Sequence, residues 1–130
     1  MTTWTIRLVA LCGFLMAGVG LQAHHSLAGV YDLEKEVTLT GALTKLNFTN
    51  PHSSIHLAVK NADGSTTEWV LVTASNRVLT RQGVTKSSIK PGDILKIVTL
   101  PAKNGNPIGF IKSLELGGKD VKLFFENEQN

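Results

Sequence analysis

Four histidines carry most of the chemistry this chain can offer, and they fall in two places: His24 and His25 near the start, His52 and His56 in the middle. Imidazole is the commonest neutral metal ligand in proteins. If the chain is cut after Ala23, His24 becomes the N-terminal residue, and its free amine and imidazole can chelate one ion together. A second imidazole then completes a T-shaped set of three nitrogens. Such a set suits Cu(II), which prefers tetragonal nitrogen coordination and binds more tightly than other divalent first-row metals.

His52 is the expected closing ligand, because the Asn50-Pro51 turn before it is rigid. His56 lies four residues further along an extended segment, roughly 13 Å away at about 3.3 Å per residue, so it cannot share the ion without a break in the strand. His25 is available as an additional ligand with a different chelate geometry. The expected metal site is therefore His24 with His52, with His25 in reserve, and the expected cofactor is one copper ion. Cleavage after Gly20 instead would take the amine out of the site. The competing reading is metal-free: His24 and His25 are a solvated start, His52 hydrogen-bonds to fix its turn, and His56 is an exposed strand residue. The domain is then a binding module for a small ligand or an envelope protein.

Other chemistry is poorly represented. Gly-x-Ser-x-Gly, His-Glu-x-x-His and phosphate-loop patterns do not occur. Ser26, Ser53 and Ser54 lie near histidines in sequence, but no acid is placed to orient one. Asp32, Glu34 and Glu36 read as a solvated arm rather than a catalytic pair. No catalytic residue is assigned. The formal net charge is +3, yet lysines and arginines are scattered singly with no basic run, so no polyanion and no nucleic-acid partner is expected.

The first residues place the domain outside the cytoplasm. Arg7 precedes an uncharged apolar run from Leu8 to Leu21, and Gln22-Ala23-His24 then turns polar. A spanning helix needs about 20 apolar residues, so this run is short for an anchor and fits a secretory signal over residues 1–23. Stable membrane insertion is not expected after cleavage, and the location is the periplasm. Cys12 is the only cysteine and falls inside the signal, so the exported domain must be held by its apolar core without disulfides.

Residues 24–36 have weak periodicity and read as an N-terminal arm. From Val37 the chain alternates, with Leu39, Gly41 and Leu43 on one side and Thr38, Thr40 and Ala42 on the other, as in a half-buried strand. Gly41 in its middle predicts a bulge or bend that lets the strand serve two sides of a barrel. Thr49-Asn50-Pro51 ends it. A second strand carries Ser53, Ile55, Leu57 and Val59 on one face and His52, Ser54, His56, Ala58 and Lys60 on the other. Asn61 to Gly64 turns into a third strand bearing Trp69 and Leu71. Ser75 is an N-cap and Gly83 a stop for one short helix. Lys90-Pro91-Gly92-Asp93, Asn104-Gly105 and Gly117-Gly118 then punctuate two or three more strands, the last ending at Phe125. Trp69, Phe110 and Phe124 are expected in the core. The fold class is all-β: a small five- to six-stranded barrel of the oligonucleotide/oligosaccharide-binding (OB) type over 37–125, with a helix between strands three and four. Residues 126–130 form a frayed tail.

Ala23-His24-His25-Ser26, Val37-Thr38-Leu39-Thr40-Gly41, Phe48-Thr49-Asn50-Pro51-His52 and Ile89-Lys90-Pro91-Gly92-Asp93 together resemble a family of small exported bacterial proteins catalogued only as a domain of unknown function. The likeness spans the mature chain. It departs at Phe48, where the family usually has Trp, and at His56, where it usually has an aromatic residue. It implies export and a shared fold, and no activity.

Overall fold

The period-two alternation that begins at Val37 builds six strands. The computed structural model describes residues 27–124; His24, His25, the expected signal segment and the tail 126–130 lie outside them. The strands are β1 (Val37–Asn47), β2 (Ser53–Lys60), β3 (Thr66–Thr73), β4 (Ile94–Pro101), β5 (Ile108–Leu116) and β6 (Lys119–Lys122), with helix α1 (Asn76–Arg81) between β3 and β4. Hydrogen-bonded neighbours run β3-β2-β1-β4-β5-β6, and a further β3–β5 pairing closes the first five strands into a barrel. All pairings are antiparallel except this seam, which is parallel and matches Val70, Leu71 and Val72 with Ile108, Gly109 and Phe110. The architecture is the expected OB-like one, with β6 an extra four-residue strand hairpinned onto β5. Three of its four residues, Lys119, Asp120 and Lys122, are exposed charges.

The interior is aliphatic. Leu39, Leu43, Ile55, Leu57, Leu71, Ile97, Ile111 and Leu114 from the strands meet Leu79 of α1, Val84 and Ile89 of the following loop, and Leu123, all buried in one cluster. Ser75 accepts from the Val78 N–H and starts α1, while Gly83, at φ 80°, ends it as expected. Trp69 packs half-buried against the cluster.

Gly41 works differently from the expectation. β1 pairs with β4 from Val37 to Ala42 and with β2 from Ala42 onward, so the change of partner does occur here. The bulge itself lies downstream, between Leu43 and Lys45. What Gly41 supplies is clearance: a Cβ there would sit 2.5 Å from the Ala58 carbonyl oxygen. The turn Lys90–Asp93 braces the same strand, since the Gly92 N–H donates to the Leu43 carbonyl and the Leu43 N–H to the Asp93 carbonyl, both at 2.8 Å.

The N-terminal arm is pinned rather than loose at its second half. Tyr31 bridges to Ala102, the Asp32 N–H donates to the Pro101 carbonyl at 2.9 Å, and the Lys103 N–H to the Val30 carbonyl at 3.0 Å. Phe110 is buried, but strand alternation turns it away from the Ile111 side. It packs between Tyr31 and Phe124 in tilted and edge-to-face contacts, with ring centroids 5.8 and 5.6 Å apart, as a second small core outside the barrel. The last strand stops at Lys122, short of the expected Phe125, because Leu123 and Phe124 both turn their N–H groups to the Lys112 carbonyl.

Two predictions follow from these contacts. Replacing a strand glycine by Ala ordinarily stabilises by about 0.5–1 kcal/mol. Gly41→Ala should instead destabilise by about 1–3 kcal/mol, because the obstructing atom is backbone; chemical denaturation checks the sign. Burial pushes the Tyr31 hydroxyl above its ordinary pKa, so the fold favours the neutral phenol. That contribution is complete below about pH 10 and is lost as pH rises toward the raised folded value. Thermal melts across this range should fall less steeply for Tyr31→Phe than for the parent.

Candidate functional site

The barrel's inward positions are occupied by buried aliphatic side chains, and on its outside two regions are organised by polar side chains. Both adjoin the β1–β2 loop, Phe48 to His52. Asn50 and Pro51 are joined by a cis peptide. The Thr49 hydroxyl donates to the His52 carbonyl, the Ser53 hydroxyl lies 3.1 Å from the Thr49 carbonyl, and the Asn76 N–H donates to that same carbonyl at 3.2 Å. The Ser53 N–H donates to the Ala74 carbonyl at 3.0 Å. The loop is thus stitched to both β2 and the start of α1. His52 takes part only through its backbone carbonyl. Its imidazole is exposed and has no hydrogen-bond partner among the described residues, so Thr49 and Ser53 do the fixing expected of it.

The first region is the outer face of β1, β2 and β3. Register sets Lys45 beside His56 and His56 beside Val70, and Asn47 beside Ser54 and Ser54 beside Val72. Alternation from buried Leu43 sets Thr44 on this face, and the β1 bulge keeps Lys45 there as well. Its hydroxyl lies 3.2 Å from the His56 carbonyl and 3.1 Å from Glu68 Oε1, so one proton serves two acceptors. His56 Nδ1 is 3.4 Å from the same Glu68 oxygen, and the His56 side chain is only 20% exposed. Asn47 Nδ2 donates to Ser54 Oγ at 3.1 Å. His56 is therefore not the exposed strand residue of the metal-free expectation. A carboxylate beside Nδ1 orients the ring and leaves Nε2 as the nitrogen a ligand could meet. The orienting acid that was not evident in the sequence is Glu68. It sits on the diagonal of the β2–β3 register, which only the pairing reveals. Among the described residues no serine or threonine hydroxyl is hydrogen-bonded to the imidazole.

The second region is an open groove of about 490 Å³ between α1, the loop after it and the β1–β2 loop, lined by Phe48, Asn76, Arg77, Thr80, Arg81, Thr85 and Lys86. Cations that look solitary in the sequence meet here. Arg77 and Arg81 are four residues apart, hence neighbours on one helix face, and that spacing within Ser75–Gly83 was the available signal.

For metal chemistry the outcome is narrower. Among the described residues no three His, Cys, Asp or Glu side chains come together as a cation site. His52 and His56 have separate surroundings, and the other expected ligands, His24 and His25, lie outside the described residues.

No curated protein matches this chain. Among solved structures it is similar to the mitochondrial single-stranded DNA-binding protein Rim1 of S. cerevisiae, at 10% identity and a TM-score of 0.50, over 64% of this chain and 93% of that one. At this identity the likeness concerns the barrel alone. The resemblance read from the His-His-Ser, Asn-Pro-His and Lys-Pro-Gly-Asp segments has a direct counterpart, since residues 13–112 match one family model. This barrel, with its clamped Asn-Pro-His loop and filled interior, belongs to the family of unknown function DUF6152.

Proposed function

We propose that this chain is an exported binding module that takes its ligand on the outer face of β1, β2 and β3. The observation that carries the reading is the His56–Glu68–Thr44 cluster, in which an outward-facing histidine is half-buried and held by a carboxylate. Cross-strand polar pairs also steady a sheet; here a single Glu68 oxygen meets both the His56 imidazole and the Thr44 hydroxyl. Val70 and Val72, half-buried beside it, supply apolar area. Strands two and three form the face on which OB barrels bind their ligands, and a small ligand with both polar and apolar surface, or a segment of an envelope protein, fits this mixture. The export half of the reading rests on the signal-like N-terminus; mass spectrometry of protein recovered from the periplasm tests it by giving the first residue of the mature chain.

An amide-resolved NMR titration against a library of peptides and oligosaccharides tests the site. Binders should move the signals of Ser54, His56, Val70 and Val72. Glu68→Gln should weaken them about three- to tenfold, in line with the loss of one charge-assisted hydrogen bond. The melting temperature should barely change, since exposed ion pairs contribute about 0–1 kcal/mol. Binders that consistently leave these residues unmoved would sink the assignment.

A second reading keeps the copper ion, and the observation that favours it is the exposed imidazole of His52, which has no hydrogen-bond partner among the described residues. On this reading cleavage after Ala23 exposes the His24 amine, which with the His24 imidazole and His52 supplies three nitrogens suited to Cu(II). Native mass spectrometry with one equivalent of Cu(II) should then show one retained ion, lost on His52→Ala or on adding a residue before His24. A mature start other than His24, or no retained copper, removes this reading and leaves the binding face untouched.

A further inference from the structure

We infer that the groove between α1 and the β1–β2 loop is a second binding site, specific for a phosphoryl group carried on an apolar moiety. The inference goes beyond the β1–β3 face and does not rest on it. Arg77, Arg81 and Lys86 bring three basic side chains to the lining of one groove, and no carboxylate lines it. Two arginines at this helical spacing repel each other, and α1 has no acidic residue in its first turn to offset them. The ion pairs of the described residues lie elsewhere, joining His56 to Glu68, Lys96 to Glu115 and Lys112 to Glu36.

The rest of the lining points the same way. Asn76, Thr80 and Thr85 add polar groups, and Phe48, half-buried, forms an apolar wall. At the start of α1 the Asn76 N–H is engaged with Thr49 and the Val78 N–H with Ser75, so recognition falls mainly to side chains. Such a donor-rich lining selects an acceptor-only group with multiple charge. Arginine forks match phosphoryl oxygens in pairs, and lysine adds a point charge. The volume falls within the roughly 300–1,000 Å³ usual for small-ligand sites. The groove's open side leaves room for whatever carries the phosphate, which could be a soluble metabolite or a lipid headgroup.

The test titrates the isotope-labelled full-length mature protein with phenyl phosphate, with phenol as the uncharged control. In parallel, the protein is sedimented with vesicles of phosphatidylglycerol and of phosphatidylcholine. Phenyl phosphate should saturably shift Phe48, Arg77, Thr80, Arg81 and Lys86, and phenol should not. The exposed double variant R77Q/R81Q should keep its melting temperature and bind at least about tenfold more weakly. Saturation by phenyl phosphate without vesicle binding assigns a soluble ligand. Sedimentation with the anionic vesicles alone, lost in R77Q/R81Q, assigns a lipid headgroup. Equal binding by the double variant, or no binding in either arm, overturns the inference. Shifts confined to Ser54, His56, Val70 and Val72 overturn it too, while leaving the β1–β3 face in place.

Discussion

Three residue pairs close this protein. Sheet order alone would leave β3 unpaired on one side, along with the first residues of β5, which β6 does not reach; the parallel match of Val70–Val72 with Ile108–Phe110 joins them and turns a sheet into a barrel. The closure depends on β1 reaching two partners, which brings the Gly41 backbone against Ala58, and on a second glycine at the seam. Gly109 leaves the space into which Thr99 packs, its hydroxyl donating to the Phe110 carbonyl at 2.9 Å. With the cylinder shut, the aliphatic side chains have one place to go, and disulfides are not needed to hold them.

The barrel's inward positions are taken by buried Leu, Ile and Val side chains, so the organised polar groups lie on surfaces that this core supports. The β1–β2 loop connects the two surfaces described here: it leads into the strand that bears His56, and it is tied through Thr49 to the helix that bears Arg77 and Arg81. One short, well-bonded loop thus sets the position of both.

The strands, the capped helix and the turns were legible in the sequence because each depends on local rules: alternation, a Ser N-cap, and glycines where φ must be positive. The bulge was read at Gly41 and lies near Thr44, because a glycine marks a close approach as readily as a bulge and only the partner strand distinguishes them. Phe110 was legible as buried, but its place in a small outer core with Tyr31 and Phe124 depends on how the arm folds back. The sites were less legible. Glu68 lies twelve residues from His56 in the chain, and nothing local links them. Arg77, Arg81 and Lys86 look like isolated charges until the helix and the loop after it bring them to one groove.

The sheet's outermost strand has a further consequence. β6 is four residues long and carries Lys119, Asp120 and Lys122 outward. Its free backbone groups are few, and an approaching strand would have to bring its own charges against these. Sheet growth by edge-to-edge addition of further copies is discouraged at this strand, so crowding should not by itself turn the barrel's outer margin into a seed for fibres.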